Sequence, residues 1–295
     1  MIKAMENKFI VKWKSLENPT TQPRAMRKTV VLEFEEFKNK IFSQRSDDVD
    51  RLTESLYAGD AYILKNAFPV EYLTDLISRT FEYGKQSESS YYPMLEGCPD
   101  FHKIIDIDAA KKYSYTALRH SFFFFPWNKD PLDFFKKVNE RWRVFKFLGG
   151  YQEREYENNT PLDGIVDRIQ VARYPSGGGG LDAHVDPTRN QRVIIGAMMS
   201  KRGVDYETGG FYCVDQNMEK VDLETQLDIG DMVCAYPTVV HGVSAVDVHK
   251  PLDWKSIEGR WFLGLYSNDS NHIKKRTTVA RLTNLEDYIT NGVLS

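Results

Sequence analysis

Cysteine is scarce in this sequence of 295 residues: the only three, Cys98, Cys213 and Cys234, lie far apart and form no Cys-x-x-Cys pair. An odd number of widely spaced cysteines argues against a disulfide-stapled scaffold and against a zinc ribbon. Free thiols are typical of a reducing compartment, and we therefore expect the protein to be cytoplasmic.

Long apolar runs and a surplus of positive charge are also missing. No segment approaches the roughly 18 consecutive apolar residues that span a bilayer, and the first residues contain no apolar run of signal-peptide length. The formal net charge is -3 and the pI is near 6.1, so the basic surface that binds phosphate backbones is not indicated. We expect no membrane and no nucleic-acid partner, while the oligomeric state stays open.

Apolar side chains are present in sufficient number for a real core. Hydrophobic residues make up 41% of the chain and aromatic residues 13%, as in ordinary globular proteins. Beyond residue 165, short β-rich runs alternate with turn signals at roughly ten-residue spacing, which is typical of a sandwich or barrel. These runs cover 165–174, 182–186, 192–199, 210–214, 231–236, 240–247 and 260–267.

Helical patterns precede this β-rich region, and one of them predicts a helix that begins at Asp130-Pro131 and ends before Gly149. We therefore predict a mainly β protein with flanking helices (α+β). No linker or repeat divides residues 1–295, which we interpret as a single domain.

The predicted domain has four parts, described in chain order. The first, residues 1–50, is a loosely packed arm with at most one edge strand. The second, residues 51–164, supplies helices that buttress the sheet and elements on the substrate side. The core strands lie within 165–268, and 269–295 form a C-terminal extension.

The stretch Leu181-Asp182-Ala183-His184-Val185-Asp186-Pro187 places an imidazole and a carboxylate two positions apart. Residues two apart on a strand point to the same side, so both side chains could reach one metal ion. A His-x-Asp pair is expected about half a time by chance in a chain of this composition. His241, which begins a different apolar run, completes the two-histidine, one-carboxylate set of non-haem Fe(II) sites. The alternative is a local polar pair and a core histidine.

The order of motifs over residues 165–268 resembles the core of the Fe(II)/2-oxoglutarate-dependent dioxygenases, and in particular their prolyl-hydroxylase-like branch. Tyr174 lies ten positions before His184, and the pair is followed by "QRVIIGAMMS", "ETGGFY", "IGDMVCAYP", "HGV" and "GRWFLGLYS". The resemblance implies a double-stranded β-helix, also called a jelly-roll or cupin-like core.

Five residues of this chain match functional positions of the family. The resemblance implies that His184, Asp186 and His241 bind the metal, that Arg260 anchors the far carboxylate of 2-oxoglutarate, and that Tyr174 assists Arg260. The spacing of 19 residues from His241 to Arg260 is longer than is common in the family. The lysines of the inserted loop, Lys250 and Lys255, are therefore alternative anchors, although an arginine suits a planar carboxylate better.

Three further residues are candidates for substrate contact. If Tyr174 points into the barrel, the alternation of strand side chains also points Gln170 inward. A backbone-bonded structural role for Gln170 is equally compatible with the pattern. His120 and Trp127 lie in the segment "RHSFFFFPWN", which could form the mouth of the cavity.

The resemblance implies an oxidoreductase that uses Fe(II), 2-oxoglutarate and O2 to oxidise a C–H bond, with release of succinate and CO2. We expect hydroxylation of a small molecule, with no catalytic residue beyond the metal ligands. A protein side-chain (prolyl-type) hydroxylase and a radical cyclase or desaturase remain alternatives within the same chemistry. A non-catalytic cupin-like metal- or ligand-binding module is the alternative of another class.

Overall fold

The computed structural model describes residues 7–110, 117–130, 132–277, 279–282 and 284–292. Its helices are α1 (Lys8–Leu16), α2 (Phe34–Ser43), α3 (Ser46–Tyr57), α4 (Val70–Lys85), α5 (Ile107–Ala110), α6 (Phe134–Leu148) and α7 (Leu285–Asn291). The strands before the core are β1 (Thr29–Glu33), β2 (Ala61–Lys65), β3 (Phe101–Ile105) and β4 (Ala117–Phe124). The core strands and the last strand are β5 (Ile165–Pro175), β6 (Gly179–Val185), β7 (Ile194–Met198), β8 (Gly210–Val214), β9 (Lys220–Asp222), β10 (Met232–Ala235), β11 (His241–Val246), β12 (Gly259–Asp269) and β13 (Ala280–Arg281).

The core strands form two facing layers, and successive strands change from one layer to the other except at the β8–β9 hairpin, which stays in one layer. The first layer has the order β10-β7-β12-β5 and the second has the order β6-β11-β8-β9. Every pairing between these neighbours is antiparallel. This topology is that of a double-stranded β-helix, so the predicted fold class is confirmed.

Additional strands widen the first layer on both sides. β1 and β2 extend it beyond β10, whereas β4 and β3 extend it beyond β5. β4 also joins the two layers, because its first residues pair with β6 and the rest pairs with β5. β13 adds to β6, and α7 packs beside it through the buried side chain of Tyr288.

The helices cover the outer face of the first layer, where the main hydrophobic core lies. Trp13 on α1 is fully buried and donates from Nε1 to the carbonyl of Leu148 at 2.7 Å. Phe37 on α2 is also fully buried and contacts Phe145 of α6. The prediction of a loosely packed arm over residues 1–50 is therefore wrong for the described part, because its aromatic side chains complete the core. The strand expected there is present as β1.

The helix predicted from Asp130 begins four residues later, at Phe134. Asp130 still caps it, because its two carboxylate oxygens accept the backbone N–H groups of Phe134 and Phe135 at 2.8 Å each. Pro131, expected at the first helical position, lies outside the described residues. None of the described helices is both long and apolar enough to cross a bilayer.

Candidate metal centre and its cavity

The three predicted metal ligands lie together between the two layers. His184 near the end of β6 and His241 at the start of β11 are directly paired across the strands, and their ring centroids are 4.3 Å apart. Asp186 follows β6, and its backbone N–H donates to the carbonyl of Pro237 at 3.0 Å. One possible ligand atom from each of the three lies within 4.8 Å of the others, and all three side chains are buried.

Hydrogen bonds orient both imidazoles for metal binding. Nδ1 of His184 is 2.9 Å from the carbonyl of Asp182, and Nδ1 of His241 is 2.9 Å from the carbonyl of Val239. A carbonyl only accepts, so each Nδ1 carries the proton and each Nε2 keeps its lone pair. This arrangement is the usual outer support of metal-bound histidine.

The charge states also suit a divalent cation. Burial, together with the neighbouring His241, lowers the pKa of His184 to about 4, so this ring is neutral near pH 7. Burial alone would raise the pKa of Asp186, but its interaction with the neighbouring His241 outweighs burial and lowers the pKa. Nε2 of His241 lies 3.6 Å from Oδ2 of Asp186. Two imidazoles and one carboxylate are a donor set that fits Fe(II).

A cavity of about 430 Å³ opens from these three side chains. Arg260, Tyr174 and Gln170 line it, as do the aromatic rings of Tyr266 and Phe123. Its volume falls in the range of roughly 300–1,000 Å³ that is usual for small-molecule sites. The metal-ligand set and the predicted anchor therefore share one enclosed space.

Arg260 is held by a buried acid that sequence reasoning missed. Nε of Arg260 lies 3.0 Å from each carboxylate oxygen of Glu224, in a single helical turn that follows β9. Glu224 also accepts from the hydroxyl of Tyr206 and from the backbone N–H of Phe211. Burial opposes the charged form of Arg260, but Glu224 raises its pKa above the ordinary value. Arg260 is thus a buried, permanently charged cation.

The two Nη atoms of Arg260 take no part in the ion pair with Glu224. Nη2 of Arg260 contacts Sδ of Met198 at 3.2 Å, and Nη1 makes no hydrogen bond with any residue that the structure describes. Gly196 leaves room for the ring of Phe262 beside this group, since a Cβ at Gly196 would lie 2.0 Å from that ring. The geometry around Arg260 thus suits a two-pronged contact with a dicarboxylate.

Tyr174 and Gln170 face the cavity as the alternation along β5 predicts. Tyr174 pairs with Arg260 across β5 and β12, and its ring centroid is 5.7 Å from the guanidinium carbon. Gln170 accepts at Oε1 from Nη2 of Arg168 at 3.2 Å and donates from Nε2 to Oγ of Ser121 at 3.4 Å. Gln170 is therefore a cavity residue that is also hydrogen-bonded to its neighbours.

The alternative anchors do not reach the cavity. Nζ of Lys250 pairs with Glu207 at 2.9 Å and with Asp247 at 3.2 Å, on the far side of the inserted loop. Lys255 is exposed, and neither lysine lines the cavity. Of the three basic residues considered from the sequence, the structure brings only Arg260 to the metal-ligand set.

His120 does not line the cavity, contrary to the expectation from sequence. Its ring packs 4.1 Å from that of Phe122 on the helix side of the sheet, and its Nε2 is 2.9 Å from Nδ1 of His102. Burial is the main cause that lowers the pKa of His120 to about 3. The strand β4 alternates so that Arg119 and Phe123 face the cavity and His120 faces away.

Trp127 is likewise one layer away from the cavity. Its ring stacks on Phe125 at 4.6 Å, and its Nε1 donates to the carbonyl of Cys98 at 2.9 Å. Phe125 lines the cavity, whereas Trp127 supports it from behind. The position in the cavity wall expected for Trp127 is therefore occupied by Phe125, two residues earlier.

Further cavity residues follow from the same alternation but were not predicted. Arg168 is two residues before Gln170 on β5, and Tyr266 is six residues after Arg260 on β12. The even spacing of both from known inward residues is a signal that would have identified them. Glu224 had no such signal, because it lies in a turn without strand periodicity.

Solved structures of similar architecture include oxygenases. The chain is similar to a Pseudomonas putida prolyl-4-hydroxylase, with 12% identity over 70% of this chain and 91% of that one and a TM-score of 0.44. It is also similar to a Trichoplax adhaerens prolyl hydroxylase solved with a peptide fragment, with 12% identity, coverage of 80% and 90%, and a TM-score of 0.45. A Burkholderia pseudomallei oxidoreductase of the 2OG-Fe(II) oxygenase family has 12% identity, coverage of 84% and 98%, and a TM-score of 0.44.

No protein-family model and no curated protein sequence matches the chain. The similar solved structures include members of the superfamily that the sequence motifs resemble.

Proposed function

We propose that the protein is an Fe(II)/2-oxoglutarate-dependent oxygenase that oxidises a C–H bond of a small molecule, with hydroxylation as the outcome. One observation carries the proposal: His184, Asp186 and His241 share an enclosed cavity with a buried arginine, Arg260, that presents its Nη edge. A binding module that holds only a metal has no need of a carboxylate anchor in the same cavity.

Each residue has a separate task in the proposed reaction. The two Nε2 atoms and the Asp186 carboxylate would hold one face of Fe(II) and leave other positions open for ligands. Arg260 would orient 2-oxoglutarate through its far carboxylate, and the Tyr174 hydroxyl would donate a second hydrogen bond to that group. When bound, iron with 2-oxoglutarate and O2 supplies the oxidation and releases succinate and CO2.

The burial of these residues supports the same chemistry. Arg260 and Tyr174 are 1% and 3% exposed, so a carboxylate bound there is shielded from water and its contacts are strengthened. The cavity volume of about 430 Å³ lies in the range usual for small-molecule sites, which supports a small molecule as the substrate. We further propose that the protein is cytoplasmic, as its free cysteines suggest.

Anaerobic titration calorimetry tests this proposal against a metal-binding module. We expect 2-oxoglutarate to bind Fe(II)-loaded protein at least about tenfold more tightly than metal-free protein, a difference of about 1.4 kcal/mol. Glutarate is the matched control, because it offers Arg260 the same far carboxylate but no ketone for the metal. Iron binding without any effect on the affinity for 2-oxoglutarate would contradict the proposal.

A further inference from the structure

The wall of the cavity carries a charge opposite to that of the whole chain. The formal net charge of the protein is -3. Among the residues that the structure describes, in contrast, the cavity is lined by five basic side chains and by two acids, of which Asp186 is a proposed metal ligand; one of the basic residues, Arg260, is already paired with Glu224. The cations are Lys103, Arg119, Arg168, Arg260 and Arg276.

The second acid does not cancel this excess. Oδ1 of Asp269 accepts from Nδ2 of Asn190 at 2.9 Å, and Oδ2 accepts from the backbone N–H of Thr277 at 2.9 Å. Oδ2 also lies 3.5 Å from Nη1 of Arg189, a cation that does not line the cavity. Asp269 is thus already engaged by Asn190, Thr277 and Arg189, and basic side chains outnumber acids among the described residues that line the cavity.

Two of the cations lie at opposite ends of the same pair of strands. Arg260 is paired with Tyr174, and Arg168 is paired with Tyr266 in the same β5–β12 ladder. Six residues of strand separate the two pairs, which corresponds to about 20 Å. The backbone of Arg168 therefore lies at the end of the ladder away from Arg260, the proposed anchor of 2-oxoglutarate.

Aromatic rings surround the guanidinium of Arg168. Its central carbon lies 5.0 Å from the ring centroid of Phe123 and 5.3 Å from that of Tyr266. The ring of Phe101 follows at 4.9 Å from Phe123. Aromatic rings at this distance attract a guanidinium through their π faces, and Nη2 of Arg168 also donates to Oε1 of Gln170 at 3.2 Å. A cation and an apolar wall are therefore presented side by side.

The remaining cations approach the metal-ligand set from the same side. Arg119 on β4 lines the same cavity as Asp186 and Tyr266. Lys103 on the neighbouring strand β3 lies 5.2 Å from the ring of Tyr91, which is 57% exposed and marks the mouth. A ligand that enters past Tyr91 thus meets positive charge before it meets the metal ligands.

We infer that the substrate carries an anionic oxygen group, a carboxylate or a phosphate, on an aromatic or aliphatic body, and that Arg168 binds this group. The inference rests on the proposed function, since it assigns the substrate of that site. The anion pairs with the cationic wall, and the apolar body packs on Phe101, Phe123 and Tyr266. The C–H bond to be oxidised is then held between Arg168 and the metal ligands.

Binding of matched probes tests the inference without turnover. Mn(II)-loaded protein is saturated with 2-oxoglutarate, and the affinities of 3-phenylpropionate, 3-phenylpropanamide and 2-phenylethyl phosphate are measured, with the same series on octyl bodies. We expect at least one of the two anions in each series to bind at least about tenfold more tightly than the amide of that series. The better of carboxylate and phosphate identifies the anionic group. Amides that bind as well as the anions, or failure of every anion to bind, overturn the inference.

Substitutions test whether Arg168 causes the preference for the anion over the amide. Arg168→Gln is expected to reduce the preference for the anion to less than threefold, and Arg168→Lys is expected to retain it. Arg154→Gln, an exposed position that does not line the cavity, removes the same charge and should leave the preference intact. Circular dichroism verifies that each variant is folded. A preference that persists in folded Arg168→Gln contradicts the role of Arg168.

The two proposals fail in different ways. If 2-oxoglutarate shows no metal-dependent binding but the anion preference is present, the proposed function is wrong and the anion site remains. If 2-oxoglutarate binds and turns over but acid and amide are bound equally, the function stands and the inference about the substrate is overturned.

Discussion

The two faces of the β5–β12 ladder differ in chemistry although they share one backbone. Eleven residue pairs join these strands. On the cavity face, polar side chains such as Arg168, Gln170 and Arg260 are directed into an enclosed space. On the helix face, Val171 and Leu263 are fully buried in the main hydrophobic core. The helix face stabilises the fold, so the cavity face is free to hold polar groups that contribute little to it.

Two buried arginines make the comparison specific. Arg260 and Arg173 are adjacent in the ladder and lie on opposite faces of it. Arg260 is paired with Glu224 and lines the cavity. Arg173 donates from Nη2 to the carbonyl of Trp254, while its Nε and Nη1 have no hydrogen-bond partner among the described residues. Burial lowers the pKa of Arg173 to about 10. Only Arg260 has both a counter-charge and space for a ligand.

The largest effect is expected for Asp186→Ala, which should remove iron binding without changing the stability of the fold. Asp186→Ala should abolish Fe(II) binding and turnover, because a site with two imidazoles loses its only anionic ligand. The free energy of unfolding of the metal-free protein should stay within about 0.5–1 kcal/mol of wild type. Calorimetric iron titration and urea unfolding measure the two quantities. Asp253→Ala in the exposed inserted loop is the matched control, and it should retain iron binding.

Substitution on the helix face should give the opposite result. Leu263→Ala leaves a cavity in the core and should lower the free energy of unfolding by about 2–5 kcal/mol, measured by urea denaturation. Iron affinity of the folded variant should be unchanged, because Leu263 points away from the metal ligands. Val248→Ala, at a position that is 67% exposed, should cost less than about 0.5 kcal/mol. Loss of iron affinity in folded Leu263→Ala would break the separation between the faces.

The smallest expected effect compares the two arginines directly. Arg260→Lys keeps the charge opposite Glu224 but loses the planar fork, so 2-oxoglutarate should bind roughly tenfold to a hundredfold more weakly, as the loss of about 1.5–3 kcal/mol implies. Arg173→Lys, on the other face, should leave that affinity unchanged. Both affinities are measured by titration of the Fe(II)-loaded protein under anaerobic conditions. Equal weakening in the two variants would show that the faces are not independent.

Periodicity explains which parts of the site could be predicted from the sequence. Alternation along strands brings His184 and Asp186 to one side and orients Tyr174 and Gln170 inward, so these positions follow from spacing. The same alternation predicts that Arg168, two residues before Gln170 on the same strand, also points inward. The sequence did not predict that His120 points away from the cavity, because a continuous apolar run such as Ser121 to Phe125 does not indicate which face of the strand is turned inward.

Other features depend on contacts between distant segments and have no local signal. Glu224 meets Arg260 across 36 residues of sequence, in a turn where no period applies. The helices α1 and α2 are short, and they are stable because Trp13 and Phe37 pack against the rest of the chain. Because the sequence does not show these packing partners, short segments with interspersed charges were consistent with a loosely packed arm.

Formation of succinate tests the central claim most directly. Purified protein is incubated in air with Fe(II) and 2-oxoglutarate, with and without a panel of aromatic and aliphatic carboxylates and phosphates, and succinate is measured against 2-oxoglutarate consumed. We expect succinate in a one-to-one ratio to the 2-oxoglutarate consumed, an increase with an accepted substrate, and no succinate from Asp186→Ala. Protein that binds iron but forms no succinate under any of these conditions would contradict the account.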